Sequence, residues 1–313
     1  MTHRNGVRIV LGLALGTLMS GSTPYARQTA PPNTYRAVES WAKLGTGVLW
    51  GQVSGVEFDS RGNLWVIHRT DPPIMAFDPS GNFLKSFGDG LFVQAHSLHF
   101  DRDGNLWATD GQAKDGKGNQ VFKFSPDGRV LMTLGRAGVT GEGPDTFNGV
   151  CDIVTAPNGD IFIADGHANA RVVKFSKDGK FITAWGRKGT GAGEFDTPHA
   201  IAMDSRGRIF VGDRANNRIQ IFDQNGTFID QWKQFGRPTG LSISKDDTIY
   251  VADDESNATR NPGFTPGIWV GSAKDGSIKA HIPATSTERA VADATGNIYA
   301  AVLGGRTIMK YVK

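Results

Sequence analysis

Six stretches of the chain repeat one pattern: an apolar strand, a polar turn carrying Gly or Asp, and a second strand bearing an aromatic. They are GVEFDSRGNLWVIHR (55–69), SLHFDRDGNLWATDG (97–111), DIVTAPNGDIFIADG (152–166), AIAMDSRGRIFVGDR (200–214), GLSISKDDTIYVADD (240–254) and RAVADATGNIYAAVL (289–303). The aligned aromatics are Trp65, Trp107, Phe162, Phe210, Tyr250 and Tyr299, spaced by 42, 55, 48, 40 and 49 residues. Apolar and polar positions alternate on either side of each turn, the period-2 signature of a β-hairpin. A lone hairpin cannot bury its apolar face, so units at this period must pack on one another.

A second hairpin follows in most units: 74–88, 121–135, 172–186, 219–233 and a looser one at 268–282. Two hairpins make four antiparallel strands, and six such units predict an all-β, six-bladed β-propeller. The sixth unit stops at its third strand, IMKYVK (308–313), while TYRAVESWAKLG (34–45) reads like an outer strand. The N-terminal segment is therefore expected to complete the last blade and close the ring, removing open sheet edges. An open solenoid or a sandwich of stacked hairpins is the alternative, but neither accounts for the complementary ends. Residues 34–313 are read as one domain.

The first residues carry His3, Arg4 and Arg8 ahead of an apolar run from Ile9 to Met19. That run is too short to span a bilayer and has the form of an export signal, here 1–26, followed by a short linker over 27–33. With the signal removed, the formal charge of +3 falls close to neutral, which does not suggest a nucleic-acid surface. Cys151 is the only cysteine, so no internal disulfide can form and no lipid-anchoring thiol lies near the signal. These features predict a periplasmic or secreted protein without a membrane anchor, for which a monomer suffices.

In a propeller the innermost strand of each blade lines a central channel. Counting back eleven residues from each aromatic reaches its first position: Ser54, His96, Cys151, His199, Thr239 and Glu288. Blades two, four and six thus present His96, His199 and Glu288 at pseudo-threefold positions, a ligand set suited to zinc or to non-haem iron. Taken singly, each is equally a hydrogen-bonded lining residue; their shared register on alternating blades points to a metal. Cys151 reads as a small buried hydrophobe. Four or five residues after the aromatics come Arg69, His167, Arg214 and Asp254, on the same rim. Arg is a fork for carboxylates and His exchanges protons near neutral pH, though blade-to-blade salt bridges would use the same residues. The Gly-rich loops 136–147 and 187–197, with insertions at 111–120 and 254–267, could wall a pocket on that rim. His99 and His281 read as structural.

Segments such as GDRANNRIQIF (212–222) and ADGHANARVVKF (164–175) resemble the NHL-repeat six-bladed propellers. Within them, VSGVEFDSRGNLWVIHR (53–69), QAHSLHFD (94–101), DGHANARVVKFSKDGKFITAWG (165–186) and TPHAIAMD (197–204) are similar to the peptidyl-α-hydroxyglycine α-amidating lyase family. The likeness covers nearly all of residues 50–313. It implies a zinc enzyme that cleaves a carbinolamide C–N bond to an amide and glyoxylate. It also implies zinc histidines at His96 and His199 and active-site arginines at Arg69 and Arg214.

The chain departs from that family at several positions. Its third zinc histidine falls on Glu288, its active-site tyrosine on His167, its structural-calcium acid on Arg289 and a disulfide cysteine on Ala168. The calcium site is therefore expected to be absent. The reading that results is an exported metal-dependent lyase on a small or peptide-like substrate. Zinc, with ferrous iron as the alternative, is held by His96, His199 and Glu288; His167 is the proton carrier, and Arg69 and Arg214 bind substrate. A metal-dependent hydrolase or lactonase, and a non-enzymatic binding propeller, are the rival readings.

Overall fold

A computed structural model of the chain describes residues 33–313 together with the first two residues. The segments read as export signal and linker lie outside the described residues, except Met1, Thr2 and Asn33. Six four-stranded antiparallel sheets are formed among the described residues. Five take consecutive strands, from β2 (Val53–Phe58), β3 (Leu64–His68), β4 (Ile74–Phe77) and β5 (Phe83–Phe87) in blade one to β18 (Gly240–Ile243), β19 (Thr248–Asp253), β20 (Gly267–Ser272) and β21 (Ile278–Pro283) in blade five. The sixth joins β22 (Thr287–Ala292), β23 (Ile298–Val302) and β24 (Thr307–Val312) to β1 (Arg36–Val38) from the other end of the chain. Arg36 pairs with Val312 and Val38 with Lys310, so the expected closure is present. It continues past the strand: Lys43 bridges to Asn82 of blade one, and Trp41 packs edge-on against Tyr299 at 4.9 Å.

The aromatic repeat has a local cause. Asp59 accepts the backbone N–H groups of Arg61 and Asn63, folding the hairpin turn, and its other oxygen accepts the Trp65 indole N–H at 3.1 Å. Asp101 with Trp107 and Asp293 with Tyr299 repeat the arrangement. Each turn thereby pins the aromatic that wedges between blades. The buried apolar side chains form six clusters, each shared by two neighbouring blades. Six blades with six shared cores form a closed ring, in which no blade has an unpacked face.

The 111–120 insertion forms one long hairpin, through which β7 (Leu106–Lys114) and β8 (Lys117–Phe124) extend. The loops 136–147 and 187–197 do not wall the channel mouth. Arg171, held by Asp165, donates to the carbonyls of Glu142, Gly143 and Thr146, and Arg218, held by Asp213, donates to those of Thr190, Gly191 and Glu194. Each guanidinium binds its loop back onto its own blade.

Candidate metal centre

The channel-facing residues owe their aim to β-bulges. The pairing of first and second strands shifts register between Val53 and Gly55, Ala95 and Leu98, Val150 and Asp152, Pro198 and Ala200, and Thr287 and Arg289. The skipped residues include Ser54, His96, Cys151, His199 and Glu288. Each sits outside the alternation that would send it into the inter-blade core, and the bulge turns it toward the channel. Burial follows: His96 is 3% exposed, His199 2%, Glu288 6% and Cys151 0%.

His167 arrives from a different place, the turn after β11 (Ile161–Asp165). The N–H groups of Gly166 and His167 both donate to the Gly149 carbonyl. Gly149 adopts φ +92°, and a Cβ there would lie 2.5 Å from the His167 Cβ, so only glycine lets the turn close. The result is a triangle of imidazoles. The ring centroids of His96, His167 and His199 are separated by 5.0, 4.9 and 4.9 Å, and His167 Nε2 lies 3.0 Å from His96 Nε2. Glu288 Oε1 stands 3.9 Å from His96 Nε2 and 3.7 Å from His199 Nε2.

The structure thus brings His96, His167, His199 and Glu288 together, with Arg69 and Arg214 lining the same cavity, in a geometry the register count did not contain. His167 stands inside the histidine cluster rather than above it. One ligand atom from each of His96, His167, His199 and Cys151 can be chosen so that all lie within 4.8 Å of one another. Cys151 is poorly suited to ligation: its Sγ donates to the Gly149 carbonyl at 3.3 Å, and burial pushes the thiol far above its usual range.

The donor chemistry suits a cation. The His167 residue keeps an exposed side, but the protein packed around its imidazole, then the charges of Arg214 and Arg69, draws it down to about 4. His96 and His199 lie well below their ordinary value, burial again leading, followed by His167 for the former and Arg214 for the latter. Each shift is downward and so favours the neutral imidazole, the form that binds a metal, at all three. His199 Nδ1–H donates to the Thr239 carbonyl at 2.7 Å, which turns its Nε2 lone pair into the cluster. Tetrahedral zinc at 2.0–2.1 Å from each nitrogen sets ligands about 3.3 Å apart, close to the His96–His167 separation. Burial, reinforced by Asp254, pushes the Glu288 carboxyl up to about 8.

The cluster forms one end of a cavity of about 350 Å³. Arg69 and Arg214 line it, and the buried Nε of each has no hydrogen-bond partner. Gln94, Gly111 and Gln112 form another wall, the last two from the long β7–β8 hairpin, and Asp254 and Glu255 a third. Gln94 lies outside the repeat register, so spacing does not single it out, whereas Gly111 and Gln112 belong to the 111–120 insertion expected to wall the pocket. His68 is structural: Nδ1 accepts from Gly51 N–H and Nε2 donates to the Pro72 carbonyl. His99 bonds Thr155 and His281 stacks on Trp269, both away from the channel site.

A family model of the NHL repeat matches residues 195–222, and one described as a 6-bladed beta-propeller matches residues 145–208. Human NHL repeat-containing protein 3 is 30% identical over 298 residues, an alignment covering 89% of this chain and 84% of that protein. The chain belongs to the NHL-repeat six-bladed propellers. Within this group it is also similar to the fruit-fly peptidyl-alpha-hydroxyglycine alpha-amidating lyase 1, at 31% over 238 residues, covering 64% of this chain and 42% of that protein. Mouse peptidyl-glycine alpha-amidating monooxygenase is 34% identical over 242 residues, 67% of this chain. The NHL propeller spans only 24% of that longer relative. A solved structure described as a putative gluconolactonase shares the fold, with a TM-score of 0.62 at 15% identity over 90% of this chain and 93% of that one.

Proposed function

We propose that this propeller is a metal-dependent lyase that cleaves the C–N bond of an N-acyl-α-hydroxyglycine, releasing a primary amide and glyoxylate. One observation carries the reading: three neutral imidazoles meet in a cavity that also presents two arginines whose buried Nε–H groups make no hydrogen bond. The similarity to named amidating lyases supports the same choice.

His96, His167 and His199 would hold the metal, zinc by preference for three imidazoles, with Glu288 on the fourth side. The site thereby keeps three histidines although the register position on blade six carries a carboxylate; the third imidazole comes from the blade-three turn instead. When bound, the cation supplies Lewis acidity toward the substrate hydroxyl. Arg69 and Arg214 clamp the substrate carboxylate, which becomes that of glyoxylate, and their rigid forks orient the carbinol carbon over the imidazoles. The reaction consumes no water: the hydroxyl proton leaves oxygen, the C=O double bond forms, the C–N bond breaks and nitrogen gains a proton. We further propose that the chain acts after export, which a fusion of residues 1–33 to a reporter active only outside the cytoplasm would test.

Incubating the metal-loaded protein with N-benzoyl-α-hydroxyglycine in H₂¹⁸O tests the chemistry. Benzamide and glyoxylate in equal amounts, with no ¹⁸O in the amide, are the expected products. Opening of lactones with ¹⁸O in the new carboxylate, and no amide, would assign the site to hydrolysis. A protein that neither turns over nor binds metal would be a binding propeller.

A further inference from the structure

With His167 committed to the imidazole cluster, the reaction still needs a group to carry a proton from the hydroxyl to the departing nitrogen. Resting on the lyase reading above, we infer that Asp254 is that proton carrier. It lines the same cavity as His96, His167, His199 and Arg214. Its Oδ1 accepts the Thr239 hydroxyl at 2.6 Å, and among the described residues no hydrogen bond or ion pair engages its other oxygen.

The other acidic groups of the cavity are placed for different work. Glu255 accepts Arg237 Nε at 2.6 Å and pairs with Arg260 at 3.0 Å, with Arg214 Nε a further 3.9 Å away, so three guanidinium groups hold it charged and engaged. Glu288 places Oε1 against two of the cluster imidazoles. A guanidinium is a donor only and is no proton carrier in a protein, which sets the two cavity arginines aside. Asp254 combines a cavity position with an oxygen that no hydrogen bond or ion pair engages among the described residues, and unlike Glu288 it stands outside the contacts of the imidazole cluster.

Its placement is built in. Thr239 holds Asp254 through its hydroxyl and, through its carbonyl, accepts the His199 Nδ1–H at 2.7 Å. One residue thus fixes the carboxylate relative to the imidazole cluster. Burial raises the Asp254 carboxyl above the usual aspartate range, the direction that brings a base closer to its working pH. In the proposed step the free oxygen of Asp254 takes the hydroxyl proton as the C=O bond forms and the C–N bond breaks. It then delivers the same proton to the amide nitrogen, so Asp254 ends as it began.

The test compares wild type, Asp254→Asn and Asp254→Ala, each metal-loaded, on N-benzoyl-α-hydroxyglycine. Asparagine keeps the acceptor for Thr239 but cannot carry the proton. We expect kcat to fall about 100-fold or more, with KM and metal content within about twofold of wild type. Added formate should restore turnover to Asp254→Ala in a concentration-dependent way, which a residue that merely shaped the cavity would not allow. An Asp254→Asn protein with kcat within about threefold of wild type overturns the assignment while leaving the lyase reading standing. Loss of metal, or a lost kcat that formate leaves unrestored, overturns it as well. A wild-type protein that releases no glyoxylate removes the lyase reading and this role together.

Discussion

Removing the Arg289 guanidinium tests the middle of the ring. Arg289 is 5% exposed and reaches across the channel, donating from Nη1 to Asp152 Oδ2 at 2.7 Å and from Nη2 to Glu57 Oε2 at 3.3 Å. It ties blades six, three and one directly beneath the imidazole cluster. Breaking a buried pair by deleting one partner costs about 3–5 kcal/mol, because the remaining charge is left uncompensated. Two features place Arg289→Ala at the lower end. Asp152 keeps the Ser97 hydroxyl and the N–H groups of Ile153 and Ile201 as donors. The Glu57 side chain is 23% exposed, and its carboxyl, already raised by burial, can take up a proton. We expect a loss of about 3 kcal/mol, or about 6 °C in melting temperature for a domain of this size. Urea denaturation followed by tryptophan fluorescence measures it, with Arg289→Met as a second variant that retains most of the packing. Both should be destabilised, and added calcium should not shift the wild-type midpoint, since the side chain already supplies a cation there. A loss below about 1 kcal/mol in both variants would refute the reasoning.

Other consequences are open to direct measurement. Deleting residues 33–45 removes β1 and the Trp41 contact, exposing the edge of β24; the truncated protein should melt lower and self-associate on size exclusion, and an unchanged monomer would contradict ring closure by this strand. Replacing Arg214 by Ala should raise KM for the carbinolamide about 10–100-fold, in keeping with about 1.5–3 kcal/mol for a charged hydrogen bond, while metal content stays at the wild-type level. An unchanged KM would remove Arg214 from carboxylate binding.

What the residues alone revealed and what they hid divide along physical lines. The hairpin period, the Asp–aromatic turns and the split sixth blade are local patterns, so the propeller and its closure by the 34–45 segment could be read directly, while the register that pairs Arg36 with Val312 came from the structure. The channel register could be counted because each blade reaches it by the same number of residues. The bulges at that register were not legible, since no residue type marks them. The meeting of His167 with His96, 71 residues earlier, was equally hidden. It depends on the Gly149 turn, which carries His167 back over the channel. The loops at 136–147 and 187–197 looked like pocket walls because they are long and Gly-rich. Arg171 and Arg218 bind them back, through contacts made mostly to backbone carbonyls that carry no sequence signature.

Metal content is the most direct test of the three-imidazole centre. Purified wild type, His167→Ala and Glu288→Gln would be compared by plasma mass spectrometry after loading with zinc and desalting. The account predicts about one zinc per chain in wild type and Glu288→Gln, and little in His167→Ala. Retention by His167→Ala together with loss from Glu288→Gln would contradict it, making Glu288 the third ligand and returning His167 to the role of proton carrier.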